Sequence, residues 1–294
     1  MQARRCQRGP VMLRKVKVLL EMIKFGHTIF ALPFALIGAF LAKRGVPEGA
    51  TFGWIILAMV GARTAAMGFN RIADRKFDAA NPRTADRAIP TGAVRLVEAW
   101  VMVVLFMLLY FVACYQLNPL TLLLSPFALG LTFLYSLTKR FTWLCHVVLG
   151  LALAFSPLGG WVAVKGSLSG FPVVLSLGVL FWVAGFDTVY ACLDADFDRE
   201  AGLYSLPSRF GRETAFRLAI FFHGMAFLLF ILTGIVSGLN FYYYLGIALT
   251  AGALFCQHIA VNPKDLSRIQ LSFFTMNGLI SLTLFVATWL SLVV

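Results

Sequence analysis

Long apolar runs dominate this sequence and restrict the folds that are open to it. Nine stretches follow one another along the chain, each close to the roughly 20 residues that cross a bilayer as a helix. They are 23–42, 51–69, 97–115, 120–137, 143–164, 173–193, 215–236, 241–260 and 271–293. The runs are continuous rather than alternating, which favours helices over barrel strands. We predict an all-α integral membrane protein whose transmembrane helices, about nine in number, form one bundle.

The balance of residue types agrees with lipid as the solvent. Only 13% of the residues are charged, against about 25% in soluble domains, and the mean hydropathy is +0.84. No polar linker divides the chain, so residues 1–294 are expected to form one domain with a basic N-terminal segment over 1–22. The net charge of +12 lies mainly in groups that flank apolar runs. A membrane surface, and not nucleic acid, is therefore the expected partner.

The distribution of basic residues predicts the orientation. Lys and Arg gather in the N-terminal segment and in the loops after runs two, four, six and eight, whereas the opposite loops carry only Lys43, Arg44 and Lys165. The positive-inside rule then puts the N-terminus in the cytoplasm of a bacterial inner membrane, with the C-terminus outside. The apolar run at 23–42 has no small-residue cleavage site behind it, so we do not read it as a signal peptide. Residues 11–24 suit either an interfacial helix or a basic flank.

Acidic residues are few and concentrated. Of 13 in the chain, seven lie in two loops on the predicted cytoplasmic side. These are Asp74, Asp78 and Asp86 after the second run, and Asp194, Asp196, Asp198 and Glu200 after the sixth. Asp187 lies inside the sixth run, where a charge costs roughly 2.5–3.5 kcal/mol, so an embedded carboxylate suggests a functional site.

The spacing of these acids suggests a bound cation. Asn70, Asp74 and Asp78 recur at every fourth residue, and Asp194 and Asp198 repeat that interval. If the second run continues as a helix, each set lies on one face, where like charges repel unless a cation lies between them. Mg²⁺ takes oxygen ligands, typically one or two carboxylates together with substrate phosphates.

Basic residues surround both acidic sets. They are Arg71, Arg75, Lys76, Arg83 and Arg87 in the first loop, Arg199, Arg209 and Arg212 in the second, and Lys139 and Arg140 between runs four and five. Arginine forks and lysine point charges match phosphate oxygens. The pattern predicts a metal-bridged diphosphate at the membrane surface. Each basic residue taken singly fits a solvated loop equally well.

Four motifs resemble those of the UbiA-type intramembrane prenyltransferases. Asn70-Arg-Ile-Ala-Asp74-Arg-Lys-Phe-Asp78 matches N-x-x-x-D-x-x-x-D, and Arg83-Thr-Ala-Asp-Arg87-Ala-Ile-Pro90-Thr-Gly92 follows it as in that family. Tyr190-Ala-Cys-Leu-Asp194-Ala-Asp-Phe-Asp198 is similar to Y-x-x-x-D-x-x-x-D, and Tyr135-Ser-Leu-Thr-Lys139-Arg140 to Y-x-x-x-K-R. The resemblance covers roughly residues 22–290 and includes the nine-helix count.

The resemblance implies a set of roles. Asp74, Asp78, Asp194 and Asp198 would bind Mg²⁺ and through it the diphosphate of a polyprenyl donor, with Asn70 assisting. The implied contacts to substrate are Arg63, Arg71, Lys139 and Arg140 for phosphate oxygens, and Tyr135 and Tyr190 on the walls. Asp187 would line the site and is our choice for the base that takes the ring proton. The implied reaction is polyprenyl transfer to an aromatic hydroxy acid in ubiquinone or menaquinone biosynthesis.

Two departures from the 4-hydroxybenzoate branch leave the acceptor open. Arg71 stands where those enzymes typically carry Asp, and Gly202-Leu-Tyr-Ser-Leu-Pro207 stands where they typically continue G-x-K-S-T. Both features are similar to a related branch, some of whose members are thought to prenylate a dihydroxynaphthoate in menaquinone synthesis. The acceptor is therefore of the 4-hydroxybenzoate type or a dihydroxynaphthoate.

Other functions explain the acids less well. An ion-coupled transporter usually binds near the midplane on broken helices, whereas these acids gather at one face. A lipid phosphotransferase of the CDP-alcohol type needs an Asp-Gly pair, which neither loop has. The five irregularly spaced cysteines show no metal or redox pattern and are expected to be reduced thiols. The four histidines, at 27, 146, 223 and 258, form no cluster in the sequence, and we expect structural or interfacial roles for them.

Overall fold

The computed structural model describes residues 18–19, 21–22, 31–171 and 173–294, apart from the side chains of 270–274. Within these residues the regular structure is helical, and no strand occurs beyond an isolated bridge between Asn262 and Asp265. In chain order the helices are α1 Leu32–Lys43, α2 Gly49–Ala73, α3 Arg75–Ala80, α4 Leu96–Leu117, α5 Pro119–Thr138, α6 Cys145–Lys165, α7 Val173–Ala191, α8 Ala195–Glu200, α9 Leu206–Phe210, α10 Arg212–Ser237, α11 Phe241–Ala260 and α12 Ile269–Val293.

Eight of these helices are long and apolar enough to cross a membrane, which makes the chain a multi-pass membrane protein. They are α2, α4, α5, α6, α7, α10, α11 and α12. The first predicted run appears as the shorter apolar helix α1, and its residues 23–30 lie outside the described part of the chain. The predicted bundle is confirmed. The prediction for residues 1–22 falls almost entirely on residues that the structure does not describe.

The large helices are arranged roughly in a ring. α2 packs along α4, α4 along α5, and α5 along α6, while α7 lies between α6 and α10. α10 packs against α11, and α11 packs along α12. α12 packs against α1, which closes the ring by contacting α2 and also packs along α6. On one side of the ring, aromatic side chains fill the interior. The Phe34 ring lies 5.1 Å from Trp182 and 6.0 Å from Phe230, measured between centroids.

Glycines allow the closest helix contacts. A Cβ on Gly160 in α6 would overlap the carbonyl oxygen of Ala35 in α1, and one on Gly38 would overlap that of Pro157. Small residues at such contacts let membrane helices gain van der Waals contact where lipid offers no hydrophobic driving force. The backbones of α1 and α6 therefore nearly touch, and together they form one wall of the interior.

The thiols lie largely as expected. Cys114, Cys145 and Cys192 are free and buried, and Cys256 is also free but lies on the exposed surface of α11. Cys6 lies outside the described residues.

The polar loops meet at one end of the bundle. This acidic end carries the connections 74–95, 139–144 and 192–211, which follow α2, α5 and α7. Arg140 joins two of them, since its guanidinium lies 3.6 Å from Asp74 Oδ1 and donates to the carbonyl of Ala73, the last residue of α2, at 2.8 Å. The connection 192–211 contacts the connection 139–144, because the backbone N–H of Tyr204 donates to the Lys139 carbonyl at 2.7 Å. The prediction that all three lie on the same side is therefore confirmed.

Candidate active site

The first acidic loop starts at a break in the helix. Asp74 separates α2 from α3 with φ −88° and ψ 3°, in the sparsely populated region between helix and strand. Backbone hydrogen bonds continue across the break: the Asp74 N–H donates to the Asn70 carbonyl at 2.9 Å, and the Asp78 N–H to the Asp74 carbonyl at 2.8 Å. The second run thus continues as a helix to Ala73 and is interrupted at Asp74, although the one-turn spacing of the side chains is kept.

The second acidic loop repeats this local structure. Asp194 precedes the short helix α8 with φ −107° and ψ 4°. The Asp198 N–H then donates to the Asp194 carbonyl at 2.7 Å. In both loops the first aspartate of the pair is a junction residue and the second lies one turn later. The two loops therefore present their carboxylate pairs in the same way.

Direct contacts join the two loops. The Asn81 amide donates to Asp194 Oδ1 at 2.9 Å, and Arg83 Nε donates to the same oxygen at 2.7 Å. A second guanidinium nitrogen of Arg83 reaches Asp194 Oδ2, which makes the pair bidentate. Arg83 also lies over the Tyr190 ring, 5.6 Å from its centroid. Side chains more than a hundred residues apart in sequence thus form one site.

The remaining carboxylates also face cations. Arg87 lies 2.6 Å from Asp78 Oδ1, and Arg71 lies 3.7 Å from Asp78 Oδ2. Lys139 donates to Asp198 Oδ2 at 3.0 Å. Arg140 lies 3.6 Å from Asp74 Oδ1, and the Asn70 amide donates to Asp74 Oδ2 at 3.0 Å. All four aspartates of the two sets therefore have a basic neighbour.

The electrostatics of the two sets differ. Burial raises the pKa of Asp74 to about 6, and the neighbouring Asp78 carboxylate adds to that rise. At Asp194, burial acts in the same direction, but the hydrogen bonds and charge of Arg83 outweigh it and lower the pKa. Burial likewise works against the charge of Lys139, yet the Asp198 carboxylate raises its pKa. Burial thus disfavours the charged form of Asp74, whereas Arg83 favours the charged form of Asp194.

The donor set fits a hard divalent cation. Carboxylate and amide oxygens are the ligands Mg²⁺ prefers, and Oδ2 of Asp78 is buried without a hydrogen-bond partner in the described part of the chain. Among the described residues, no three Asp, Glu, His or Cys side chains already surround one point, and arginine or lysine side chains contact the carboxylates.

A cavity of about 410 Å³ extends from the acidic end into the bundle. All twelve predicted site residues line it: Arg63, Asn70, Arg71, Asp74, Asp78, Tyr135, Lys139, Arg140, Asp187, Tyr190, Asp194 and Asp198. Below them the walls are mainly apolar and come from α1, α2, α4, α5 and α6. Leu117 and Thr121, at the far ends of α4 and α5, also line the space. The cavity thus runs from a charged mouth toward the opposite end of the bundle.

The sequence over residues 31–279 matches the UbiA prenyltransferase family. The chain is a member of this family. It is 34% identical to the 4-hydroxybenzoate octaprenyltransferase of Escherichia fergusonii over 255 residues, which cover 85% of this chain and 86% of that protein. This UbiA-family chain is thus an enzyme, a prenyltransferase.

Solved structures share the fold of this UbiA-family prenyltransferase. The apo structure of a UbiA homologue from Aeropyrum pernix K1 is 37% identical and superposes with a TM-score of 0.82, covering 89% of this chain and 96% of that one. A UbiA homologue from Archaeoglobus fulgidus bound to GPP and Mg²⁺ has a TM-score of 0.73 at 19% identity, covering 94% of this chain and 100% of that one. The latter likeness concerns the fold alone.

Sequence reasoning about this UbiA-family prenyltransferase missed two neighbours of the site. Asn81 contacts Asp194 across the loops, and its only sequence signal is its place between the first acid set and the Arg83 motif. His146 was expected to be structural or interfacial, but its Nδ1 lies 2.7 Å from Asp187 Oδ2. Neither partner is near in sequence.

The expectation of no histidine cluster is also wrong in part. His223 Nδ1 lies 2.7 Å from His258 Nε2, where α10 and α11 pack together. His223 is buried against Gly185, which has no side chain to exclude its ring. His27 lies outside the described residues.

Proposed function

We propose that this prenyltransferase transfers a polyprenyl group from its diphosphate to an aromatic hydroxy acid of the 4-hydroxybenzoate type, in quinone biosynthesis. The observation that carries the proposal is that two aspartate pairs meet at the mouth of one apolar cavity. Asn81 and Arg83 of the first loop hold the two pairs together, because both bind Asp194 of the second loop. The positive-inside pattern supports a cytoplasmic mouth and a cytoplasmic N-terminus. Relatives named 4-hydroxybenzoate octaprenyltransferase support both a polyprenyl donor and an acceptor of the 4-hydroxybenzoate type.

In this proposal the four aspartates hold Mg²⁺ and through it the diphosphate. The A. fulgidus homologue, which has the same fold and was solved with GPP and Mg²⁺ bound, supports a prenyl diphosphate and Mg²⁺ as the ligands. When bound, Mg²⁺ supplies charge stabilisation for the leaving diphosphate. The bases that now pair with the aspartates become available for phosphate oxygens. They are Arg71, Arg83, Arg87, Lys139 and Arg140.

These bases act more strongly on the transition state than on the bound donor. As the allylic C–O bond breaks, its electron pair stays with the diphosphate, whose negative charge grows. Preorganised cations in a site shielded from water favour that state over the ground state. The apolar walls below the mouth exclude water, which would otherwise capture the allylic cation.

The position of Arg63 supports an acceptor that carries a carboxylate. Arg63 precedes Asn70 by seven residues in α2, about 10 Å along the helix axis, so it lies deeper than the acid sets. Its Nε is buried without a hydrogen-bond partner in the described residues. A buried cation needs a counter-charge. The sequence-based assignment gave Arg63 to phosphate, but its depth favours the acceptor carboxylate instead.

We assign removal of the ring proton to Asp187. It lines the cavity in α7, about two helical turns before Asp194, and Tyr135 lines the same space. The ring carbon beside the phenolic oxygen forms the new C–C bond to the allylic carbon. Its proton then passes to an Asp187 carboxylate oxygen, and the C–H electron pair restores the aromatic ring. Geometry within reach of the ring is the first requirement for such a base.

Two other functions are less well supported. A dihydroxynaphthoate acceptor is favoured by Arg71 and by the Ser205-Leu206-Pro207 sequence, and its carboxylate would satisfy Arg63 equally well. An ion-coupled transporter is disfavoured because the chain belongs to a prenyltransferase family.

A direct assay separates the acceptors. Purified protein is incubated with Mg²⁺ and a labelled polyprenyl diphosphate, with either 4-hydroxybenzoate or dihydroxynaphthoate, and prenylated products are separated by chromatography. We expect Mg²⁺-dependent product with 4-hydroxybenzoate. Product with dihydroxynaphthoate alone would reassign the acceptor, and transfer to neither acid would overturn the proposed function.

A further inference from the structure

A histidine that does not line the cavity is joined to the proposed base. His146, the second residue of α6, is completely buried, and its Nδ1 lies 2.7 Å from Asp187 Oδ2. Its Nε2 accepts a hydrogen bond from the backbone N–H of Leu206 at 3.3 Å. Asp187 itself lines the cavity and its side chain is 16% exposed. The imidazole thus lies behind Asp187, on the side away from the substrate.

The hydrogen-bond pattern assigns the tautomer of His146. An imidazole nitrogen that accepts a hydrogen bond from a backbone N–H cannot itself carry a proton, so Nε2 of His146 is unprotonated. The ring proton therefore lies on Nδ1, which donates to the Asp187 carboxylate. This bond engages Oδ2 and leaves Oδ1 of Asp187 available to the substrate. A neutral histidine in this state orients the carboxylate and supplies no proton to it.

The same histidine contacts the loop that follows the second acid set. Leu206 opens α9 directly after Ser205, and Tyr204, two residues before Leu206, donates its N–H to the Lys139 carbonyl. One residue nearer the acids, the Leu203 N–H donates to the Asp198 carbonyl at 2.7 Å. Residues 203–206 therefore lie between the diphosphate side of the site and His146.

We infer that His146 is a positioning residue, which fixes the Asp187 carboxylate for removal of the ring proton. The hydrogen bond from Leu206, in the loop after Asp198, holds the imidazole in the orientation that this requires. The inference rests on the proposed function, since it gives Asp187 the role of base. Partners that orient a metal-binding side chain typically contribute about 10- to 100-fold to activity, and we expect a similar effect for a partner that orients a base. His146 acts after the C–O bond breaks, so it has no part in release of diphosphate.

Two amide substitutions separate the two hydrogen bonds of His146. In His146→Asn, the side-chain amide N–H₂ takes the place of Nδ1–H and can still donate to Asp187. In His146→Gln, the longer amide offers its oxygen at the place of Nε2, so it keeps the Leu206 contact and loses the Nδ1 donor. A purely structural role would favour the glutamine variant or harm both alike.

The test measures prenyl transfer and acceptor-independent release of diphosphate in the same preparations. We expect His146→Asn to keep kcat for transfer within about threefold, and His146→Gln to lower it about 10- to 100-fold. Neither variant should change the KM for the polyprenyl diphosphate or the release of diphosphate without acceptor. In an Asp187→Asn background, His146→Gln should cause no further loss, because the two residues act as a unit.

Equal losses in both variants, a loss that persists in the Asp187→Asn background, or a parallel fall in diphosphate release would overturn the inference. Thermal unfolding and gel filtration check that the variants fold. If the glutamine protein does not fold, the asparagine variant decides alone: a kcat for transfer within about threefold of the wild-type value supports the inference, and a larger loss overturns it. Failure of the wild-type protein to prenylate either acid is a separate outcome, and it counts against the proposed function.

Discussion

Replacing Asp194 with asparagine is expected to lower kcat/KM for prenyl transfer by about 10²–10³-fold. Asp194 is the residue on which the loops meet, since Asn81 and Arg83 both bind its carboxylate. Asparagine keeps the size of the side chain but removes the charge that a metal ion needs. The measurement is steady-state transfer with purified protein at saturating Mg²⁺, together with thermal unfolding to confirm the fold.

Asp196 provides a matched control in the same loop. It lies two residues from Asp194, but its side chain is 65% exposed, whereas that of Asp194 is 11% exposed. Asp196 pairs at the surface with Arg199 and Arg212, and exposed pairs contribute little. Asp196→Asn should therefore keep activity within about twofold. Similar losses in the two variants would mean that loop charge in general, and not a ligand set, supports catalysis.

Replacing Arg63 with glutamine should lower kcat/KM for the aromatic acid by roughly 10- to 100-fold, the effect of losing a charged hydrogen-bond partner. The guanidinium lies deep in the cavity wall, its Nε has no hydrogen-bond partner among the described residues, and we assign the acceptor carboxylate to it. Diphosphate release without acceptor should be unaffected. Initial rates measured against each substrate in turn distinguish the two steps.

The result for Arg63 also decides between two roles. A rise in the KM for the polyprenyl diphosphate, with the KM for the aromatic acid unchanged, would restore the sequence-based assignment to phosphate. Arg95→Gln serves as the control, because Arg95 is 78% exposed and pairs with the nearby Glu98 on the first turn of α4. That change should leave both KM values as they are.

Much of this architecture could be predicted from the sequence because its main determinants are local. A run of apolar residues long enough to cross a bilayer specifies a helix by itself, since lipid leaves backbone groups no other partners. The one-turn spacing of Asp74 with Asp78, and of Asp194 with Asp198, likewise depends only on neighbouring residues. The motif resemblance then assigns both sets to one site, because the two motifs belong to the same family pattern.

Other features depend on contacts between distant segments, which spacing does not reveal. The bond of Asn81 to Asp194 requires two loops to meet, and the bond of His146 to Asp187 requires α6 and α7 to pack closely. Gly150 permits that packing, because a Cβ there would overlap the Leu180 carbonyl oxygen. The break at Asp74 was missed for a different reason: helical spacing persists across one residue with non-helical dihedrals.

The most direct test of the two-loop metal site is calorimetric titration of a non-hydrolysable polyprenyl diphosphate analogue into the purified protein. We predict one binding site per chain in Mg²⁺, little binding in EDTA, and a loss of roughly 100-fold or more in affinity for both Asp78→Asn and Asp194→Asn. Asp86→Asn, which changes an exposed acid of the first loop, should bind like the wild type. Binding that is as tight in EDTA, or that survives either substitution unchanged, would contradict a metal site shared by the two loops.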